Sequence, residues 1–129
     1  MSKTFVRVVV LSVFAMIFTA GNAFAGDCKQ VKFKFTNSTA AKVKVKNIRI
    51  QGNDGTWTEN IGNHQIETNR VYTTNKRRLN KLDSGKAGKF TVNYDRWDAP
   101  NNKWKGKSQT FSNQKCSDGK TFSFKLTNK

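Results

Sequence analysis

The chain predicts an all-β fold: a small antiparallel sandwich of about seven strands held by one disulfide. Three observations carry that expectation. Apolar residues recur at every second position through most of the sequence, clusters of turn-forming residues separate these runs, and two cysteines follow an export signal. No stretch shows the 3.6-residue periodicity of an amphipathic helix. An immunoglobulin-like sandwich or a small barrel would satisfy the pattern equally.

The first 25 residues read as a secretory signal peptide. Lys3 and Arg7 make a positive start, Val8 to Phe18 is an apolar run broken by Ser12, and Ala23-Phe24-Ala25 is a small-x-small cleavage site. The apolar run is too short to span a bilayer, which takes about 20 residues. The expectation is a soluble domain covering residues 26–129, periplasmic or extracellular after cleavage near Ala25/Gly26.

Strand candidates follow in order. Val31, Phe33 and Phe35 alternate with Lys32 and Lys34, and Val43 and Val45 alternate with Lys42, Lys44 and Lys46. At Asn47 the phase slips, since Ile48 and Ile50 fall out of step with the valines. A β-bulge does this, and so does a strand that bends between sheets. Further candidates run from Trp57 to Ile61, Gln65 to Thr73, Lys89 to Trp97, Trp104 to Phe111 and Lys120 to Thr127. Turn-tolerant clusters punctuate them at Thr36 to Thr39, Gly52 to Gly55, Ile61 to Asn63, Asp83 to Gly85, Ala99 to Asn102 and Ser117 to Gly119. Asn37-Ser38-Thr39 also matches a glycosylation sequon and is read here as a turn. The segment from Thr73 to Lys89 reads as an irregular basic loop.

Export decides how the cysteines are used. In an oxidising compartment Cys28 and Cys116 are expected to pair, closing a loop of 88 residue steps. Loop-closure entropy assigns such a bridge about 4 kcal/mol. A lipid anchor on Cys28 would need a small residue before it, where Asp27 stands.

Charge is the second strong signal. The chain has 24 basic and 8 acidic residues, a formal net charge of +16. Losing Lys3 and Arg7 with the signal leaves 22 basic residues against the same 8, a net +14. Such a field favours anionic partners: nucleic acid, acidic glycan, lipopolysaccharide or an anionic membrane surface. It also keeps an exported domain soluble.

Two basic groups are candidate binding sites. If Val31, Phe33 and Phe35 point inward, Lys32 and Lys34 point outward, and the same holds for Lys42, Lys44 and Lys46. Pairing of these two strands as a hairpin would merge the five lysines, with Lys125, into one stripe. The second group is Lys76, Arg77, Arg78 and Lys81 in the basic loop. Leu79 and Leu82 are expected to pin that loop through a short helical turn, if its charges are only solvated. Trp57, Trp97, Trp104, Tyr72 and Tyr94 lie near strand ends, where an aromatic ring fills the core or stacks on a ligand.

Catalysis finds little footing. His64 is the lone histidine, which excludes two-histidine ribonuclease chemistry and multi-histidine metal sites, and no nucleophile elbow or zinc-binding helix motif is present. Glu59, His64 and Glu67 are the one group close enough in sequence for acid-base work. Gly52 to Gly55 and Asp95 to Asn101 lack the ligand spacing of calcium loops. No cofactor or metal is expected. The functional expectation is a monomeric exported binding protein with a polyanionic partner. Its rivals are a membrane-active, toxin-like protein and a weak hydrolase of an anionic polymer.

Overall fold

The computed structural model describes residues 26–128. The expected signal peptide, residues 1–25, lies outside the described residues.

Eight strands form in chain order: β1 (Asp27–Asn37), β2 (Val43–Gly52), β3 (Gly55–Ile66), β4 (Val71–Thr73), β5 (Arg77–Asp83), β6 (Ala87–Asp98), β7 (Lys103–Lys115) and β8 (Thr121–Leu126). They make two four-stranded sheets that pack as a β-sandwich. In the first sheet β1 pairs antiparallel with β4 and β5 along its two halves, and parallel with β8. The second sheet is antiparallel throughout, in the order β3-β2-β6-β7. The chain crosses between sheets after β1, β3, β5 and β7, so the pairs β2–β3 and β6–β7 are the hairpins.

The alternation predicted for each sheet face holds. Val31, Phe33, Phe35, Val43, Val45, Ile48, Ile50, Phe90, Val92, Tyr94, Phe122, Phe124 and Leu126 are buried. Burying each large apolar side chain contributes roughly 1.5 to 3 kcal/mol. Phenylalanines dominate the centre, with Phe90 and Phe122 ring centroids 4.7 Å apart and Phe111 and Phe124 4.9 Å apart. The phase slip at Asn47 is a bulge: Val45 pairs with Tyr94 and Asn47 with Asn93, leaving Lys46 as the extra residue while β2 stays in one sheet. Cys28, on β1, and Cys116, just after β7, form the expected disulfide and so join the two sheets.

Four expectations are corrected. Strands β1 and β2 do not form a hairpin, because the connection between them crosses from one sheet to the other. Buried Asn37 fixes that crossing: its amide donates to the carbonyls of Ala41 and Ile66 at 2.9 Å, and its Oδ1 accepts from Thr39. The sequon asparagine, read from sequence as a turn residue, is the buried and fully bonded last residue of β1. The segment from Thr73 to Lys89 is not an irregular loop, since it contains β5. Leu79 and Leu82 are both buried, on a strand and not on a helical turn. Their spacing of three arises because β1 and β5 pair with register shifts around Cys28. Gln65 to Thr73 is not one strand: β3 ends at Ile66, and the chain turns to reach β4 in the opposite sheet. The antiparallel pattern has one exception in the β1–β8 pair, where the first and last strands run parallel.

One device closes the first sheet and another joins it to the second. Between β4 and β5, Thr74 takes over the ladder with β1: its amide donates to the Phe33 carbonyl at 2.9 Å and its buried hydroxyl accepts from the Phe33 amide at 3.0 Å. At the β2–β3 turn, Asp54 N–H donates to the Lys81 carbonyl, and a Cβ on Gly52 would lie 2.0 Å from that same oxygen. Only glycine permits this approach.

Candidate functional site

The sandwich topology separates the predicted lysine stripe into two faces. Lys32 and Lys34 lie on the outer face of the first sheet, beside Thr121 and Ser123 of β8, with Lys125 of β8 opposite Thr36. Lys42, Lys44 and Lys46 lie on the outer face of the second sheet, on the far side of the molecule. No single flat ligand reaches both groups.

The second group of cations is also divided. Arg77 is half-buried and donates to Glu59 and to the Asn60 carbonyl, both at 3.0 Å. Arg78 reaches Asp27 at 3.2 Å, while Lys76 and Lys81 are exposed. Two of the four thus carry carboxylate partners, and the other two are spread along an edge, Lys76 just before β5 and Lys81 on it.

On the outer face of the second sheet, lysine and tryptophan interleave. β6 and β7 pair Trp97 with Trp104, and their rings meet edge-to-face with centroids 5.2 Å apart. The Lys42 ammonium sits 4.9 Å from the Trp97 ring and 5.6 Å from Trp104, and the Lys44 ammonium sits 4.2 Å from Trp104. Such contacts attract the cation to the ring face and order two otherwise floppy side chains. The bulged Lys46 continues the row and reaches Asp95 at 3.3 Å. Beside it runs a polar row in which Asn93 donates to Asn47 at 2.8 Å and accepts from Ser108 at 2.7 Å. Lys46, Asn47, Asn93, Gly106, Lys107 and Ser108 line a shallow cavity of about 330 Å³.

A second cavity, about 380 Å³, opens at the β6–β7 hairpin end. Arg96, Lys105 and Lys107 line it with Trp97, Asp98 and the small residues Ala40, Ala41, Ala99 and Pro100. Register explains the convergence. Arg96 pairs with Val43 and Lys105, and Lys107 pairs with Tyr94, so all three cations occupy core-facing positions. Burial raises the Tyr94 hydroxyl above its ordinary pKa, and the Arg96 charge opposes that rise. Asp98 is held below the usual carboxylate value, first by the hydrogen bond from Asn101 at 2.7 Å and further by the Lys105 and Lys103 charges.

The residues weighed for acid-base work have separate partners. Glu59 accepts from the Trp57 indole and from Arg77, both at 3.0 Å. His64 stacks on Tyr72, centroids 3.5 Å apart, and Glu67 accepts from Gln65 at 2.8 Å. Glu59 and His64 thereby close the open edge between β3 and the first sheet. Among the described residues no group of three or more His, Cys, Asp or Glu is arranged to hold a metal ion.

Sequence reading missed Arg96, Lys105 and Lys107. The signal was present: extending the core phase of Phe90, Val92 and Tyr94 by one step reaches Arg96. The pairing of Trp97 with Trp104 follows from the hairpin centred on Ala99 to Asn102. Comparison with protein families, curated proteins and solved structures finds no match to this chain.

Proposed function

We propose that this protein is an exported binding protein that takes a polyanionic polymer on the outer face of its second sheet, through Lys42, Lys44 and Lys46 beside Trp97 and Trp104. One observation carries this reading. Lys120 lies singly over Phe122, but on this face two neighbouring ammonium groups are ordered over a pair of indole rings, which lowers the entropy lost when an anion engages them together. The disulfide suits an oxidising compartment, and the charge supplies long-range attraction. The membrane-active alternative calls for an exposed apolar patch, and Val71 is the one large hydrophobic side chain exposed among the described residues.

Intrinsic fluorescence tests the reading. An anion that binds Lys42 and Lys44 where they lie over the indoles changes the local field, and so the emission, of Trp97 and Trp104. Titration with a sulfated polysaccharide should change emission in the native protein and in Trp57→Phe. The change should vanish in the double variant Trp97→Phe/Trp104→Phe. Persistence of the change in the double variant, with its loss in Trp57→Phe, would place binding elsewhere.

A further inference from the structure

We infer that the cavity of Arg96, Lys105 and Lys107 is a specific site for one anionic sugar unit of an acidic glycan, its carboxylate or phosphate held by the three cations. The inference deepens the polyanion reading and names the chemistry that a diffuse basic face cannot select.

Four observations support it. First, three cations converge on one cavity whose lining holds a single carboxylate, Asp98, which accepts from Asn101 and feels the Lys105 charge; among the described residues the salt bridges go instead to Lys46, Arg77 and Arg78, so the cavity keeps an excess of positive charge. Gathering like charges raises the energy of the folded chain unless an anion offsets it. Second, Arg96 stands on β6, an interior strand, with a buried Nε that has no hydrogen-bond partner. Inward-pointing lysines on edge strand β7 are accounted for by protection against strand pairing. That account does not extend to an arginine on an interior strand. A guanidinium offers a planar donor fork that fits carboxylate and phosphate oxygens. Third, the remaining wall is Asp98, Trp97 and four small residues; Trp97 and the small residues make an apolar bed for a sugar ring, and Asp98 can accept from a sugar hydroxyl, in a volume of about 380 Å³.

Fourth, Lys107 lines both this cavity and the polar one on the outer face, where Asn47, Asn93 and Ser108 offer amides and a hydroxyl to a hydroxyl-rich ligand. Between them Gly106 keeps the strand edge low; a Cβ there would have nothing nearer than Asp95 Oδ1 at 3.8 Å. A chain of sugar rings therefore has a path over β7 from one cavity to the other. Nucleic acid fits less well, because serial stacking needs a row of free aromatic faces, and on the outer face Lys42 and Lys44 occupy one face of Trp97 and of Trp104, leaving Trp97 to line the cavity alone.

The test is an NMR titration of the folded, disulfide-bonded protein with glucuronate, glucose 6-phosphate, inorganic phosphate and adenosine monophosphate. It follows the Arg96 side-chain Nε–H and the Trp97 indole N–H. Glucuronate or glucose 6-phosphate should saturate with shifts at both groups, at least tenfold tighter than inorganic phosphate, and the two arms distinguish carboxylate from phosphate. Arg96→Gln and, separately, Lys105→Gln should each weaken that binding at least tenfold. Lys105 is exposed, so its variant keeps the test valid if Arg96→Gln loses its fold. Unchanged Arg96 resonances, equal affinity for inorganic phosphate, or tighter binding of the nucleotide would each overturn the inference. Polymer titrations run alongside separate the two claims. If a sulfated polysaccharide still engages Lys42 and Lys44 while the sugar acids leave Arg96 unmoved, the cavity assignment falls alone. If the sugar acids bind at Arg96 and the polymer ignores the lysine face, the broader reading falls alone.

Discussion

Arg77 Nη1 lies 3.0 Å from Glu59 Oε2, an ion pair that ties the first strand edge of one sheet to that of the other. The contact gives both residues a structural job. Glu59 also accepts from the Trp57 indole, so its two oxygens are committed, and Arg77 leaves the set of cations free to meet a ligand.

Breaking that pair should destabilise the fold. Glu59→Gln or Arg77→Gln should each cost about 1 to 3 kcal/mol in chemical denaturation, because a half-buried charge loses its partner. The double variant should cost less than the sum of the two. Additive losses would mean that the pair is not coupled.

The core assignment predicts a contrast across β1 and its partner β8. Phe33→Ala, Phe35→Ala, Phe122→Ala and Phe124→Ala should each cost about 3 to 5 kcal/mol. Lys34→Gln, on the opposite face of β1, should stay within about 0.5 kcal/mol. Denaturation midpoints at a common slope give the comparison, and equal effects on both faces would mean a register wrong by one residue.

Gly52→Ala and Gly106→Ala make a matched pair of substitutions in the second sheet. The first drives a methyl to within 2.0 Å of the Lys81 carbonyl, and the second meets nothing closer than 3.8 Å. Thermal unfolding should show a loss of at least about 1 to 3 kcal/mol for Gly52→Ala and little change for Gly106→Ala. Comparable losses would remove the claim that the β2–β3 turn needs its close approach to β5.

Export and the disulfide are tested together by intact mass. The secreted protein should begin at or within a residue or two of Gly26 and take up no thiol reagent while folded. Replacing both cysteines with serine should cost about 4 kcal/mol. A secreted mass that retains residues 1–25 would contradict the signal-peptide assignment.

Much of the fold was legible because strands with one buried face write period-2 alternation into the sequence, as Phe33, Phe35, Phe122 and Phe124 do. β5 was hidden because register shifts around Cys28 space Leu79 and Leu82 by three and break that period. The division of the lysine stripe was hidden for another reason. A short connection such as Ser38 to Lys42 serves a hairpin or a crossing equally well, and the Asn37 hydrogen bonds that select the crossing are tertiary. The alternation correctly turned the lysines outward. It carried no information on which sheet each strand would join.

The most direct test of the binding claim compares the two outer faces at equal net charge. One variant carries Lys42→Gln, Lys44→Gln and Lys46→Gln, the other Lys32→Gln, Lys34→Gln and Lys125→Gln. Each is titrated calorimetrically with a sulfated polysaccharide at fixed salt, since counterion release makes affinity depend steeply on salt. The first variant should lose more than tenfold in affinity relative to the second, which is about 1.4 kcal/mol. Equal losses would mean that the charge acts as a diffuse field, and would contradict a binding site on the second sheet.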